Sequence, residues 1–82
     1  MGDRVNHPDH YVTGKIEVID FIEDKHFNFN LGQVIKYVSR AGHKKSRGIT
    51  IEAKTLEDLK KAAWYLQREI SNRERDQKNA SN

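Results

Sequence analysis

The sequence predicts an all-α fold: a small three-helix domain with an irregular N-terminal arm, assembled as a homo-oligomer. Apolar residues recur at the spacing of one buried helical face at Leu31, Val34, Ile35 and Val38. Gly42 follows this stretch, where a residue without Cβ ends a helix at little cost. The 82 residues include no cysteine, so neither a disulfide nor a thiolate metal site reinforces the domain.

The N-terminal arm is predicted to be irregular because Pro8 restricts the residue before it to extended conformations. His7 and His10 flank this proline and are three residues apart. In an extended segment, the two histidines do not share one helical face and so are not arranged as a pair of metal ligands. The favoured interpretation is that they form hydrogen bonds that hold the arm against the helices. A turn is predicted at Thr13-Gly14.

The three helices follow the arm. The first is predicted over residues 16–25, and the second takes Asn30 as its N-cap. After a polar loop over residues 42–54, the third begins at Thr55, with Asp58 three residues later as a variant of the capping box. This helix is predicted to continue to about Asp76. Its predicted core stripe is Leu59, Ala62, Ala63, Leu66 and Ile70.

The size of the chain predicts that it associates with itself. Only 35% of the residues are hydrophobic and 33% are charged, and a chain of this length buries only ~60% of its unfolded surface. Association between copies completes such cores. We expect a single domain over residues 1–76 and a disordered tail over residues 77–82.

The composition also indicates where the protein is located in the cell and which kinds of partner it binds. The absence of cysteine fits a reducing cytoplasm, and no apolar run approaches the ~20 residues of a membrane span. The net charge of +3 favours an anionic partner. Acidic residues are interleaved with the basic ones, whereas dedicated DNA- or RNA-binding proteins concentrate their positive charge. A small anionic ligand is therefore expected, with no membrane partner.

A candidate anion site lies at the end of the second predicted helix. Lys36 and Arg40 are one turn apart, Tyr37 lies between them, and Lys44 follows in a basic loop. Arginine supplies a bidentate fork and lysine a point charge for phosphate. The alternative is that these basic residues form a solvated helix face with no ligand, since positive charges are favourable near a helix C-terminus. The predicted ligand-binding residues are Lys36, Arg40 and Lys44 for phosphates, Tyr37 and Tyr11 for the base, and Asn6, His7 and His10 as pocket walls.

Catalytic motifs are scarce in the sequence. The G-x-x-x-x-G-K-[ST] phosphate loop is missing. Acidic residues at Glu17, Asp20 and Asp24 do not form the paired motifs of helical pyrophosphohydrolases, and Asp58 is explained as a cap. We therefore assign no catalytic residue and expect no metal or cofactor. Mg²⁺ is expected as a cofactor only if the protein is a nucleotide kinase. Trp64 and Tyr65 are interpreted as packing residues.

Four segments carry a resemblance to a known family. They are Asn6-His7-Pro8-x-His10-Tyr11, Ile16-Glu17-Val18-Ile19-Asp20-Phe21, Phe29-x-Leu31-Gly32-x-Val34-Ile35-Lys36-Tyr37-Val38-x-Arg40-Ala41-Gly42-x-Lys44 and Leu56-x-Asp58-Leu59-x-Lys61-Ala62-x-Trp64-Tyr65-Leu66. Over residues 6–70 the chain resembles the SaV-like family of small phage proteins, often described as phage nucleotide kinases. The resemblance implies a phage-encoded cytoplasmic protein that acts on nucleotides. The candidate residues that it implies are His7, His10, Tyr11, Lys36, Tyr37, Arg40, Lys44 and Trp64.

Three functions remain open from the sequence. The favoured hypothesis is a nucleotide-binding sponge that sequesters an immune signal, such as a cyclic dinucleotide, at subunit interfaces to counter host defence. The second is a deoxynucleoside monophosphate kinase with an active site shared between subunits, because three short helices cannot enclose two nucleotides. The third is a regulator that binds a host protein through its basic loop.

Overall fold

The computed structural model describes residues 14–80, which form three α-helices. These are α1 (Val18–Asp24), α2 (Phe29–Arg40) and α3 (Ile51–Ala80). Helix α2 lies between the other two and packs mainly on α3. No strand occurs among these residues, so the predicted all-α fold is confirmed for this part of the chain.

Helix α2 begins two residues earlier than predicted. Its N-cap is Asn28, whose side-chain oxygen accepts a hydrogen bond of 2.9 Å from the Leu31 N–H. The prediction of Asn30 as the cap was wrong, because an equally good capping residue precedes it and Phe29 joins the helix. The predicted end is confirmed: α2 stops at Arg40, and Gly42 adopts a left-handed φ of +85°.

Helix α3 begins at Ile51 rather than at Thr55, which shortens the preceding loop. The Thr50 hydroxyl accepts a hydrogen bond of 3.1 Å from the Ala53 N–H and caps the helix. Thr55 lies inside the helix, where its hydroxyl donates to the Ile51 carbonyl at 2.7 Å. The helix extends to Ala80, beyond the end predicted near Asp76. Helix α1 is shorter than residues 16–25.

The face of α3 that packs on α2 is mostly polar. Its buried residues are Lys54, Asp58, Ala62 and Glu69, and Ala62 is the only buried hydrophobic residue within residues 14–80. The predicted core stripe was therefore wrong at all positions except Ala62. Its large members are Leu59, Leu66 and Ile70, which are 45%, 44% and 41% exposed. The apolar pattern and the contact face lie on different sides of the same helix.

The molecule is thin, with extents of 50 × 33 × 16 Å. None of the helices in residues 14–80 combines the length and the apolar character needed to cross a membrane.

Candidate functional site

A buried network of charges joins the end of α2 to the first turns of α3. The Arg40 Nε donates to Asp58 Oδ1 at 3.3 Å, with Arg40 only 7% exposed and Asp58 fully buried. The Lys54 ammonium lies 3.6 Å from the same oxygen. Asp58 is thus a counter-ion shared by two cations, and its predicted role as a helix cap was wrong because α3 starts seven residues before it.

Glu57 extends this network toward the surface. Its Oε1 accepts a hydrogen bond of 2.6 Å from Lys54 and lies 3.8 Å from the Lys61 ammonium. The hydrogen bond from Lys54 lowers the pKa of Glu57, with further lowering by the charges of Lys54 and Lys61. The same bond raises the pKa of Lys54 despite the opposing effect of burial. Both groups therefore carry their charges at neutral pH.

Three cations converge on the ring of Tyr37. The ring centroid lies 5.1 Å from Lys36 Nζ, 4.9 Å from Arg40 Cζ and 5.5 Å from Lys61 Nζ. These distances are those of cation–π contacts. We call the whole group the cation cluster. It consists of Tyr37, the cations Lys36, Arg40, Lys54 and Lys61, and the carboxylates Glu57 and Asp58.

Aromatic rings border the cation cluster. Tyr65 of α3 stacks on Tyr37 with a centroid distance of 6.0 Å and an interplanar angle of 12°. The rings of Phe29 and Trp64 meet Tyr65 edge-on at 6.0 and 5.0 Å. Tyr65 packs as predicted, but Trp64 is 60% exposed and Phe29 71%. Trp64 therefore packs only edge-on against Tyr65, and more than half of its surface remains exposed to solvent.

The structure brings together three of the eight predicted ligand-binding residues, Lys36, Tyr37 and Arg40. Lys44 follows the turn after α2, where its backbone N–H donates to the Arg40 carbonyl at 3.2 Å. None of the ion pairs or ring contacts found within residues 14–80 involves its ammonium group. The other four predicted residues, Asn6, His7, His10 and Tyr11, lie outside the described residues.

Sequence reasoning missed Lys61 and Lys54. Both lie on α3, each four residues from an acidic residue: Lys54 precedes Asp58 by four positions, and Lys61 follows Glu57 by four. Such i, i+4 pairs were a usable signal. It was obscured because the helix was predicted to start at Thr55, which left Lys54 in a loop.

A second polar cluster lies at the other end of α2. Glu69 of α3 accepts hydrogen bonds from the amides of Asn28 and Asn30, at 3.0 and 3.3 Å, and from Arg73. An open groove of about 550 Å³ adjoins it. Because these donors already occupy the Glu69 carboxylate, this cluster holds helices α2 and α3 together.

Within residues 14–80, no three histidine, aspartate or glutamate side chains gather as metal ligands.

Comparison with known proteins gives one match. Residues 5–67 match the model of a family described as "Protein of unknown function (DUF3310)". No curated protein and no solved structure matches the chain.

Proposed function

The chain belongs to the DUF3310 family, whose function is unknown, and we propose that it binds a nucleotide through the cation cluster. The observation that carries this proposal is the charge imbalance of that cluster. Among residues 14–80, the cluster holds four cationic side chains and two carboxylates. An anion bound there completes the neutralisation.

Lys36 and Lys61 are the proposed phosphate contacts. Within residues 14–80, no carboxylate lies at ion-pair distance from Lys36. Lys61 is 44% exposed at its side chain, and its pairing with Glu57 is long, at 3.8 Å. The two ammonium groups reach the same ring from α2 and α3. A phosphate between them would exchange weak surface contacts for charge-assisted hydrogen bonds.

Arg40 acts in this proposal as a fixed charge beneath the ligand. Asp58 holds its guanidinium group in place, and its burial limits direct contact with a phosphate. Trp64 lies one helical turn beyond Lys61, so its exposed ring is within reach of a base whose phosphate Lys61 binds. Stacking on such a ring contributes about 1–3 kcal/mol per base.

We further propose that binding serves to sequester the nucleotide. The resemblance to small phage proteins supports a signal of host defence, such as a cyclic dinucleotide, as the ligand. The hypothesis that a second subunit completes the site stays a prediction. The resemblance supports a deoxynucleoside monophosphate kinase as the alternative, in which Mg²⁺ and a second nucleotide would join the site.

Calorimetry with cyclic di-GMP and with dGMP tests the proposal. We expect Lys36→Ala and Lys61→Ala each to weaken binding by about 1.5–3 kcal/mol, the range for hydrogen bonds to charged groups. The matched control is Lys60→Ala, which removes a neighbouring lysine that is rotated by about 100° around α3 and is exposed. The control should bind like the wild type.

Equal affinities for Lys36→Ala, Lys61→Ala and Lys60→Ala would contradict the site. Chromatography after incubation with ATP, Mg²⁺ and dGMP separates the two activities. Recovery of unchanged ligand supports sequestration, whereas formation of dGDP supports the kinase. If neither ligand binds, docking of a host protein becomes the better explanation of the basic surface.

A further inference from the structure

An apolar stripe runs along the exposed side of α3. Its members are spaced alternately three and four residues apart, the a/d pattern of a coiled-coil seam. They are Leu56, Leu59, Ala63, Leu66 and Ile70. All five are exposed, and the four large ones are between 41% and 52% exposed. The stripe is about 21 Å long at the rise of an α-helix.

Nothing within residues 14–80 covers this stripe. Helix α2 packs on the face of α3 that carries Lys54, Asp58 and Glu69, which is about 120° around the helix from the stripe. Among the helices of residues 14–80, α3 packs mainly on α2. Stable domains normally pack two layers around a core. An isolated protomer of these residues lacks the second layer.

We propose that the stripe binds the same stripe of a second copy, with the two α3 helices antiparallel. This orientation places the small Ala63 of each helix opposite the large Leu66 of the other. It also places Leu59 opposite Ile70. All four apolar layers are then filled, whereas a parallel pair would place Ala63 against Ala63 and leave a void.

The charges at the two ends of the stripe favour the same orientation. Glu52 lies one turn before Leu56, and Arg73 lies one turn after Ile70. In the antiparallel register, Arg73, which is paired with Glu69 of its own chain, lies opposite Leu56 of the other copy and one turn from its Glu52, so it meets no like charge. In a parallel pair, the two Arg73 side chains would meet and repel each other. A second copy therefore matches the stripe in side-chain size, and the antiparallel orientation keeps the two Arg73 side chains apart.

This dimer leaves the cation cluster open. Lys61 and Ala63 are two residues apart on α3, so their side chains point in nearly opposite directions. The stripe thus pairs on the side of the helix away from Lys61 and Tyr37. Dimerisation and nucleotide binding are independent in this arrangement, and either one can fail without the other.

Sedimentation velocity tests the association. The wild-type chain should sediment as a dimer at micromolar concentration, and Leu66→Glu should give a monomer with unchanged helix content by circular dichroism. The matched control is Ile19→Glu, which places the same charge at another exposed apolar position, on α1, and should remain dimeric. A monomeric wild type would overturn the proposal, including the case in which residues 1–13 cover the stripe. A dimeric Leu66→Glu variant would overturn it as well.

Disulfide formation tests the orientation without disrupting the stripe. The chain has no cysteine, so single substitutions Leu59→Cys and Ile70→Cys report one contact each. When the two reduced variants are mixed and then oxidised with diamide, which takes up the two electrons and two protons of the thiol pair, a disulfide-linked heterodimer should form, because positions 59 and 70 face each other. Each variant alone should stay unlinked, because its two copies lie about 16 Å apart along the axis. Rapid linkage within either variant alone would overturn the antiparallel arrangement.

Discussion

Asp58 of α3 is fully buried and receives the Nε–H of Arg40 from α2, with the Lys54 ammonium beside the same oxygen. Its second oxygen, Oδ2, has no hydrogen-bond partner among the residues that the structure describes. A buried charge is costly unless it is paired, and removal of one partner leaves the others uncompensated. At the end of α2, the contact with α3 therefore includes one buried carboxylate that is shared by two cations.

We expect Asp58→Asn to lower the free energy of unfolding by about 3–5 kcal/mol, because two buried cations lose their common counter-charge. Urea unfolding at one fixed protein concentration measures this loss. The control is Asp24→Asn, which removes an exposed carboxylate paired with Lys25 at 3.3 Å and should change stability by less than about 0.5 kcal/mol. Similar losses for the two variants would show that the buried network does not stabilise the fold.

At the residue scale, the sequence predicted the neighbours Lys36, Tyr37 and Arg40 but not their partners on α3. Residues of α2 lie close together because they share one helical turn, which spacing alone reveals. Lys61 joins them only through the packing of α2 on α3. The apolar pattern of α3 did not indicate the face that packs on α2, because the most apolar face is the exposed one.

At the scale of elements, the three helices were predictable and their starting residues were not. The starts of α2 and α3 each have two candidate capping residues close together: Asn28 and Asn30 for α2, and Thr50 and Thr55 for α3. Any of these side chains can accept a bond from a helical N–H. The upstream candidate caps in both cases, since the residues after it also adopt helical conformation. Local propensity does not distinguish such pairs.

We expect Thr50→Ala to cost about 1 kcal/mol, because the Ala53 N–H loses its capping bond. Thr55→Ala should cost less, since a hydroxyl that bonds back to the Ile51 carbonyl inside the helix does not satisfy an orphan donor. Thermal unfolding of the two variants side by side measures the difference. A larger loss for Thr55→Ala would place the start of α3 where the sequence predicted it.

At the scale of the whole molecule, Glu69 fastens the start of α2 to the distal half of α3. Arg73 is the main cause of the lowered pKa of this carboxylate, followed by the Asn28 amide; burial acts in the opposite direction, and the Asn30 amide adds a smaller lowering effect. Together with Asp58, which ties the other end of α2, Glu69 fixes the alignment of the two longest helices. Polar contacts thus hold α2 on α3, where few apolar residues are buried.

The lowered pKa makes global stability dependent on pH. Folded Glu69 resists protonation more than the unfolded residue, whose pKa is about 4.3, so its stabilising contribution is present above that value and is lost as the pH falls. We expect the difference in Tm between wild type and Glu69→Gln to be larger at pH 6 than at pH 3. A difference that stays constant over this range would contradict the role of the ionised carboxylate.

Within residues 14–80, the packing of α2 on one face of α3 also affects how α3 exchanges its amide hydrogens with solvent. Amides on the other side of α3 lie close to bulk water, so local opening there needs little cooperative unfolding. The longest-lived protons on α3 would then report where another surface presses against it. Deuterium uptake along this helix would show which of its faces are covered in solution.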